Sequence, residues 1–484
     1  MSDQGRVRYD ISMHYQKKTK IVATLGPATM KELTMRKMIQ AGLNVARINC
    51  SHGTQAEYLE QMNVVRSAAK KEKANIAILL DLSGPKIRIG DFSEDMVTLK
   101  KGQKFILTTK NIRGDLHKVS VNYKSLPREV SPGMHLLLDD GKLTLRVERV
   151  QGDEIDTIVE IGGTIRGRRG VNIPNAKLSI SAITAKDMRD IDFGVAQGVD
   201  FFALSFVRHE NDVLKLRKIL IEKNSHAGII AKIETQGAMD RIEEIIHATR
   251  GVMVARGDLA VEIPKEDVPL AQKRIIRSAN IAGKTVITAT QMLDSMTTQS
   301  TPTRAEIGDV ANAIFDGTDA IMLSQETSIG VDPVHVVATM TSIALHTEQS
   351  TLYRDEVVRL RGTAEGIVDT VSSAVARSIL TSGAVAIVAL TESGFTPRMV
   401  SRHKPAAPIL ALTPIEETHR QLALTYGITA NMTNNVRNIN EALALARKEL
   451  LRTKLAQKGD VFLLVAGIPF GKRGGTNALV IQTI

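Results

Sequence analysis

The chain has 484 residues, 43% of them hydrophobic, and a formal charge of +11. That length predicts roughly three domains, and the apolar content excludes a disordered chain. Aromatics at 3% with no tryptophan leave few platforms for stacking bases, so the positive charge points to phosphorylated metabolites and away from nucleic acid.

The N-terminal arm, residues 1–18, has no uninterrupted apolar core and so gives no secretory signal. No apolar run approaches the ~20 residues of a membrane helix. Cys50 is the only cysteine, which excludes an intrachain disulfide and suits a reducing, cytoplasmic setting. It follows the apolar run Val45-Ala46-Arg47-Ile48 and reads as a packed thiol more readily than as a nucleophile.

Short β-branched runs then recur at 20–25, 44–49, 76–82, 201–206, 229–234, 252–257, 286–291 and 320–326. Each ends in a polar or glycine-bearing tip and leads into a segment of helical period. Examples are 184–197 and 269–282, the second opened by Pro269. Nearly continuous apolar strands between amphipathic helices predict a parallel sheet buried on both faces, and eight such units close as a barrel. The spacing breaks once. Over 88–175 the pattern alternates with tight turns, Asp140-Gly141 and Gly152-Asp153 being hairpin signals. This predicts an all-β insertion at the catalytic end, either a decoration or a lid, with Gly162, Gly163, Gly167 and Gly170 as hinges. From 350 to 484, strands at 384–390, 408–412, 427–430, 460–466 and 479–484 alternate with helices. The expected fold is thus α/β: a (β/α)8 TIM barrel over 19–87 and 176–349, an inserted β-barrel lid and a C-terminal α/β domain.

Barrel chemistry sits at the C-terminal ends of the strands. Period-two geometry puts Lys232 and Glu234 on one face of the fifth strand. Alone they could be an ion pair and nothing more. Asp258 at the end of the next strand adds a second hard oxygen ligand, and such a pair suits Mg²⁺ or Mn²⁺. Lys232 beside that metal makes an arrangement for stabilising a phosphoryl group in transfer. The amides of Gly257 and Asp258 could receive a carboxylate, and Thr290 offers a hydroxyl. Arg47, Arg88 and Lys186 add positive charge around the same mouth. In the C-terminal domain, Thr391, Ser393, Gly394 and Thr396 after a strand, with Gly475 and Thr476 near the end, could cradle a phosphate or simply form turns.

The motifs KIVATLGPAT, NVARINCSHG, DLSGPKIRIG, IIAKIETQGAMD, MVARGDLAVEI, ITATQMLDSM, PTRAEIGDVANAIFDGTDAIMLSQET and GGTN occur in this order, and through them the chain resembles the pyruvate kinases over almost its whole length. The resemblance implies conversion of ADP and phosphoenolpyruvate to ATP and pyruvate, divalent-metal dependence, allosteric control by a phosphorylated effector and a homotetramer. It implies that Lys232 stabilises the moving phosphoryl group and that Glu234 and Asp258 bind the metal. Gly257, Asp258 and Thr290 would hold the substrate, with Arg47 on its phosphate. Thr290 and Ser324 would orient the water that protonates the enolate. Asn49, His52, Arg88 and Lys186 fall at nucleotide-side positions, and the 391–396 and 475–476 loops at the effector site. Glu392 would repel an effector phosphate there, and Phe395 stands where many relatives carry a basic residue.

Three departures stand out. Around the monovalent-cation positions Asn49, Ser51, Asp81 and Leu82, this chain has Leu82 for a threonine and Lys86 for a glutamate. That resembles the potassium-independent branch, with the Lys86 ammonium replacing K⁺. Gln325 replaces a glycine, and Gly237 a polar residue. A pyruvate-releasing aldolase or lyase on a barrel would also use carboxylates and Mg²⁺, but would not require the lid, Lys232 and the C-terminal domain together. A non-catalytic relative would be expected to lack one of Lys232, Glu234 and Asp258.

Overall fold

A computed structural model describes residues 17–174, 176, 178–360, 365–470 and 475–484. Residues 1–16 of the expected arm, Asn175 at the expected lid boundary and Gly474 of the late glycine loop lie outside them. Eight strands form a closed barrel: β1 (Lys20–Thr24), β2 (Val45–Asn49), β3 (Ala77–Asp81), β4 (Phe201–Leu204), β5 (Gly228–Ile233), β6 (Gly251–Ala255), β7 (Thr285–Ala289) and β8 (Ala320–Leu323). Neighbours in the ring β1-β8-β7-β6-β5-β4-β3-β2 are all parallel.

Parallel strands in a barrel are buried on both faces, which is why they read as continuous apolar runs. Val22, Val45, Leu79, Phe201, Ile230, Met253, Ile287 and Met322 fill the interior. The helices pack around the outside, and several start at side-chain caps. Thr184 accepts from the Asp187 N–H to open Ala185–Ala196, and Thr303 does the same with Glu306 to open Arg304–Phe315. The helix expected at 269–282 runs Val268–Ile281 with Pro269 in its first turn, where its missing N–H costs nothing.

The insertion forms a six-stranded sheet and a two-stranded one around its own core, including Phe105, Leu136, Leu145, Ile155 and Val159. The turn between His135–Leu138 and Leu143–Gln151 takes left-handed backbone at Asp139, Asp140 and Gly141 (φ 49°, 56° and 81°). That turn reaches down to the barrel mouth, where a side chain on Gly141 would stand 3.9 Å from Val261. Asn172 also donates to Glu262 at 3.2 Å. Two of the expected hinge glycines have a packing reason. A side chain on Gly162 would meet the Leu99 carbonyl at 2.4 Å, and one on Gly167 would meet the Asp91 carboxylate at 2.8 Å.

The C-terminal domain carries β9 (Ala386–Leu390), β10 (Ile409–Thr413), β11 (Ile428–Met432), β12 (Val461–Ala466) and β13 (Ala478–Thr483) in the order β11-β10-β9-β12-β13, the last pair antiparallel. It docks under the barrel, opposite the mouth. Ala423 and Leu424 plug the interior from below. Lys404 pairs with Asp319 at 2.7 Å and lies over the Tyr426 ring, and Arg420 pairs with Asp200 at 2.7 Å. Among the described residues, no helix is long and apolar enough to cross a membrane.

Candidate active site

The barrel mouth gathers its ionic groups around β2, β3, β5 and β6. Asp81, the last residue of β3, is buried and accepts from the Arg47 Nε at 2.7 Å. The Lys232 Nζ stands 3.5 Å from the other Asp81 oxygen and 2.7 Å from Glu234 Oε1. The two-residue spacing therefore does put Lys232 and Glu234 side by side. Burial pushes the Asp81 carboxyl up, but Lys232 and Arg47 together outweigh burial and hold it below the usual carboxylate range. Lys232 shows the complementary balance: burial lowers it, and Asp81, Glu234 and Asp258 raise it above an ordinary lysine. For Glu234 burial dominates and Asp258 adds to it, so the carboxyl is raised despite Lys232.

Asp258 is felt by Lys232, Glu234 and Lys86 alike, which places all four charges around one cleft. The Glu234–Asp258 pair fits a divalent cation on two grounds. Two carboxylates crowd each other in a buried setting, and each Glu234 oxygen, though bonded to Lys232 Nζ or the Phe206 N–H, keeps a free lone pair. Among the described residues no cluster of three or more His, Cys, Asp or Glu could hold a metal. Magnesium does not need one, because it commonly takes one or two carboxylates and fills its shell with water and substrate oxygens.

Several groups that the sequence reading passed over complete the floor. Ser205, just past β4, accepts from Lys232 at 2.8 Å and donates to the Leu82 carbonyl at 2.7 Å. Phe206 turns left-handed (φ 54°) to aim its N–H at Glu234, 2.7 Å away. Gly84 lies against both, and a side chain there would sit 2.9 Å from Phe206. At β7, Thr290 and Gln291 hold φ of 70° and 53°, a conformation costly for residues with a Cβ. Arg256 braces them by donating to the Ala289 and Thr290 carbonyls at 3.2 and 2.6 Å while pairing with Asp309 at 2.7 Å. The Gly257 N–H donates to Thr290 Oγ1 at 2.9 Å, and a side chain on Gly257 would make only ordinary contact with that residue. Glu326 ties two loops together by accepting from the Ser324 and Leu293 N–H groups at 2.6 and 3.2 Å.

Of the four positions expected on the nucleotide side, Asn49, His52 and Lys186 come together at the loop after β2, and Arg88 stands apart. Asn49 accepts from the Ser51 N–H at 3.0 Å, and His52 is exposed on the same loop. Lys186, 136 residues on from Cys50, donates to the Cys50 carbonyl and to Asp190, both at 2.6 Å. Arg88 lies at the junction with the all-β insertion, exposed, donating to the Arg168 carbonyl at 2.8 Å. Cys50 is buried, and burial followed by Asp190 and Asp81 pushes its thiol up, as an inert cysteine requires. Leu82 is buried in the helix–barrel core. Lys86 is exposed to the cleft and its ammonium makes no hydrogen bond or ion pair among the described residues. Burial, then Lys232, lowers it; Asp258 and Glu234 oppose. Gln325 opens a short helix with its side chain exposed, and Gly237 has ordinary room for a side chain, 3.6 Å from Arg208.

In the C-terminal domain, Thr391, Ser393, Thr396 and Gly475 line one cavity with Asn434 and Phe470. Thr396 and Thr476 share a buried hydrogen bond of 2.7 Å, and the Gly394 N–H caps Thr391 at 2.9 Å.

The family model for the pyruvate kinase barrel domain matches residues 16–337, and that for the pyruvate kinase alpha/beta domain matches 369–482. A pyruvate kinase from Geobacillus stearothermophilus is 45% identical over 97% of this chain and 81% of its own length. One from Clostridium perfringens is 44% identical over 96% and 100%. A crystal structure of a pyruvate kinase from Cryptosporidium parvum superposes with a TM-score of 0.92, at 33% identity, covering 98% of this chain and 97% of that one. Barrel, inserted all-β domain and C-terminal α/β domain thus recur together, and the chain belongs to the pyruvate kinase family of phosphotransferases.

Proposed function

We propose that the barrel mouth is where this family member moves the phosphoryl group of phosphoenolpyruvate to ADP, with Lys232 as the principal cation on that group. One observation carries the reading: Lys232, its side chain only 12% exposed, is paired with Asp81 and Glu234 and held in its charged form by them and by Asp258 across one cleft. Glu234 and Asp258 would hold Mg²⁺ or Mn²⁺, which supplies charge neutralisation for phosphate oxygens. Arg47 takes the substrate phosphate, and Gly257, Asp258 and Thr290 take its carboxylate side. A terminal oxygen of ADP attacks phosphorus and the bond from phosphorus to the enol oxygen breaks. The electron pair left on the enolate then collects a proton at the methylene carbon, delivered by water that Thr290 and Ser324 orient. Asn49, His52, Arg88 and Lys186 face the nucleotide, and the 88–175 lid excludes water. The test is coupled detection of ATP from ADP and phosphoenolpyruvate, and absence of ATP with Mg²⁺ or Mn²⁺ present would refute the assignment.

The finer reading is independence from K⁺. Lys86 brings a fixed positive charge to the cleft, within electrostatic reach of Lys232, Asp258 and Glu234. The Leu82 side chain offers no oxygen, and Asp81 is already neutralised by Arg47 and Lys232. Full turnover is expected in sodium or Tris buffer; a collapse that added K⁺ restores would overturn this. The remaining assignments are a regulatory domain from 350 onward, a phosphorylated effector bound at Thr391, Ser393, Gly394, Thr396, Gly475 and Thr476, a homotetramer and a cytoplasmic setting.

A further inference from the structure

A second cavity lies at the far end of the barrel, where β5, β6 and β7 begin and the C-terminal domain docks; its volume is about 390 Å³. Four cations line it: Arg217, Arg250 and Lys284 from the barrel, and Arg398 from the helix Phe395–Ser401. Among the described residues their hydrogen-bond partners are neutral. Arg217 donates to the Ala248 carbonyl, Arg250 to the Gln421 amide oxygen at 3.3 Å, Lys284 to the Thr249 carbonyl at 2.6 Å and Arg398 to the Ser393 carbonyl at 3.1 Å. Asp319, which lines a small neighbouring cavity with Lys284 and Arg398, is engaged by Lys404 at 2.7 Å and by the Val286 N–H at 2.9 Å. His226 stands at the rim.

Like charges gathered without a counter-charge cost folding free energy. The Lys284 ammonium registers it: burial, then Arg250, Arg217 and Arg398, pull it down to about 8. Arg398 is pulled down by burial and then by Arg250. Ile221, Leu220 and Met399 line the cavity beside the cations, so it offers both an anion cradle and a wall for a small carbon skeleton.

We infer that this interdomain cavity binds a small phosphate ester, at a site separate from the barrel mouth and from the 391–396 loop. Binding is felt at that loop, because Phe395 lines both cavities and Arg398 holds the Ser393 carbonyl. Gly394 (φ 73°) lies between them, and a side chain there would stand 2.5 Å from Arg398 Nη1.

The test is calorimetric titration of the full chain with ribose 5-phosphate and with inorganic phosphate. It is run at pH 8 in two buffers of different ionisation enthalpy and at two salt concentrations. Saturable binding of the ester is expected, tighter than phosphate and weakened by salt, with proton uptake as Lys284 regains its charge. Lys284→Gln and the exposed Arg217→Gln should each weaken it at least tenfold, and Lys284→Gln should abolish the uptake. No saturable binding, or affinity unchanged in both variants, overturns the inference. The readout needs no turnover, so its failure and that of the barrel-mouth reading are distinguishable.

Discussion

Replacing Arg256 with Met removes the brace under Thr290 while keeping the volume of the side chain. The Arg256 side chain is only 11% exposed, and its guanidinium pairs with Asp309 at 2.7 Å while holding two carbonyls of the β7 loop. The Asp309 partner is 35% exposed, so solvent screening leaves that pair worth about 1 kcal/mol, and each hydrogen bond lost from the guanidinium to the two carbonyls costs about 1.5–3 kcal/mol. The left-handed backbone at Thr290 and Gln291 stores about 1–3 kcal/mol for each residue, so the loop relaxes once the bonds go. Relaxation takes the Thr290 hydroxyl off the Gly257 N–H, now 2.9 Å away, and displaces the groups assigned to the substrate. A displacement near 1 Å costs about 10²-fold in turnover. Coupled ATP formation should therefore show kcat down about 100-fold, with KM for phosphoenolpyruvate raised and metal binding retained. Arg256→Lys should recover little, since an ammonium cannot span both carbonyls and Asp309. Turnover within twofold of the parent in a folded Arg256→Met variant would refute the bracing role.

Gly257→Ala should fold normally, because the added carbon meets Thr290 at ordinary contact distance, yet raise KM for phosphoenolpyruvate; an unchanged KM would remove Gly257 from the substrate site. Asp81 is held below its ordinary pKa, so its stabilising contribution is fully present above about pH 4 and is lost as the pH falls through the folded value. Denaturant unfolding should accordingly show the gap between the parent and Asp81→Asn narrowing below about pH 4. Lys404→Met leaves the buried Asp319 with one N–H partner, and thermal unfolding should register a loss of about 3 kcal/mol.

The barrel was legible because its strands are buried on both faces and separated by helices of clear period. Their ends were less so. The apolar pattern carries the strands through Glu234, Gly257, Gln291 and Glu326, whereas the ladders stop at Ile233, Ala255, Ala289 and Leu323. The chain leaves the sheet there to aim backbone groups, through left-handed residues such as Thr290, Gln291 and Phe206, and no local propensity announces that. Lys232 with Glu234 was readable because they stand two residues apart at the end of β5, Glu234 just past its last residue. Asp81 under Lys232, Ser205 beside it and Asp309 behind Arg256 are contacts between distant segments, which a single sequence does not reveal. The four-cation cavity was hidden for the same reason, since Arg217, Arg250 and Lys284 meet only in the folded barrel and Arg398 joins them only when the C-terminal domain docks.

The central claim is that Lys232 stabilises the phosphoryl group in transfer, and Lys232→Met tests it most directly. Its turnover of ADP and phosphoenolpyruvate should be compared with Mn²⁺ binding followed by electron paramagnetic resonance. The account predicts a loss of about 10³-fold or more in ATP formation, with Mn²⁺ affinity changed by less than about tenfold because Glu234 and Asp258 remain. Near-normal turnover in that variant would contradict it.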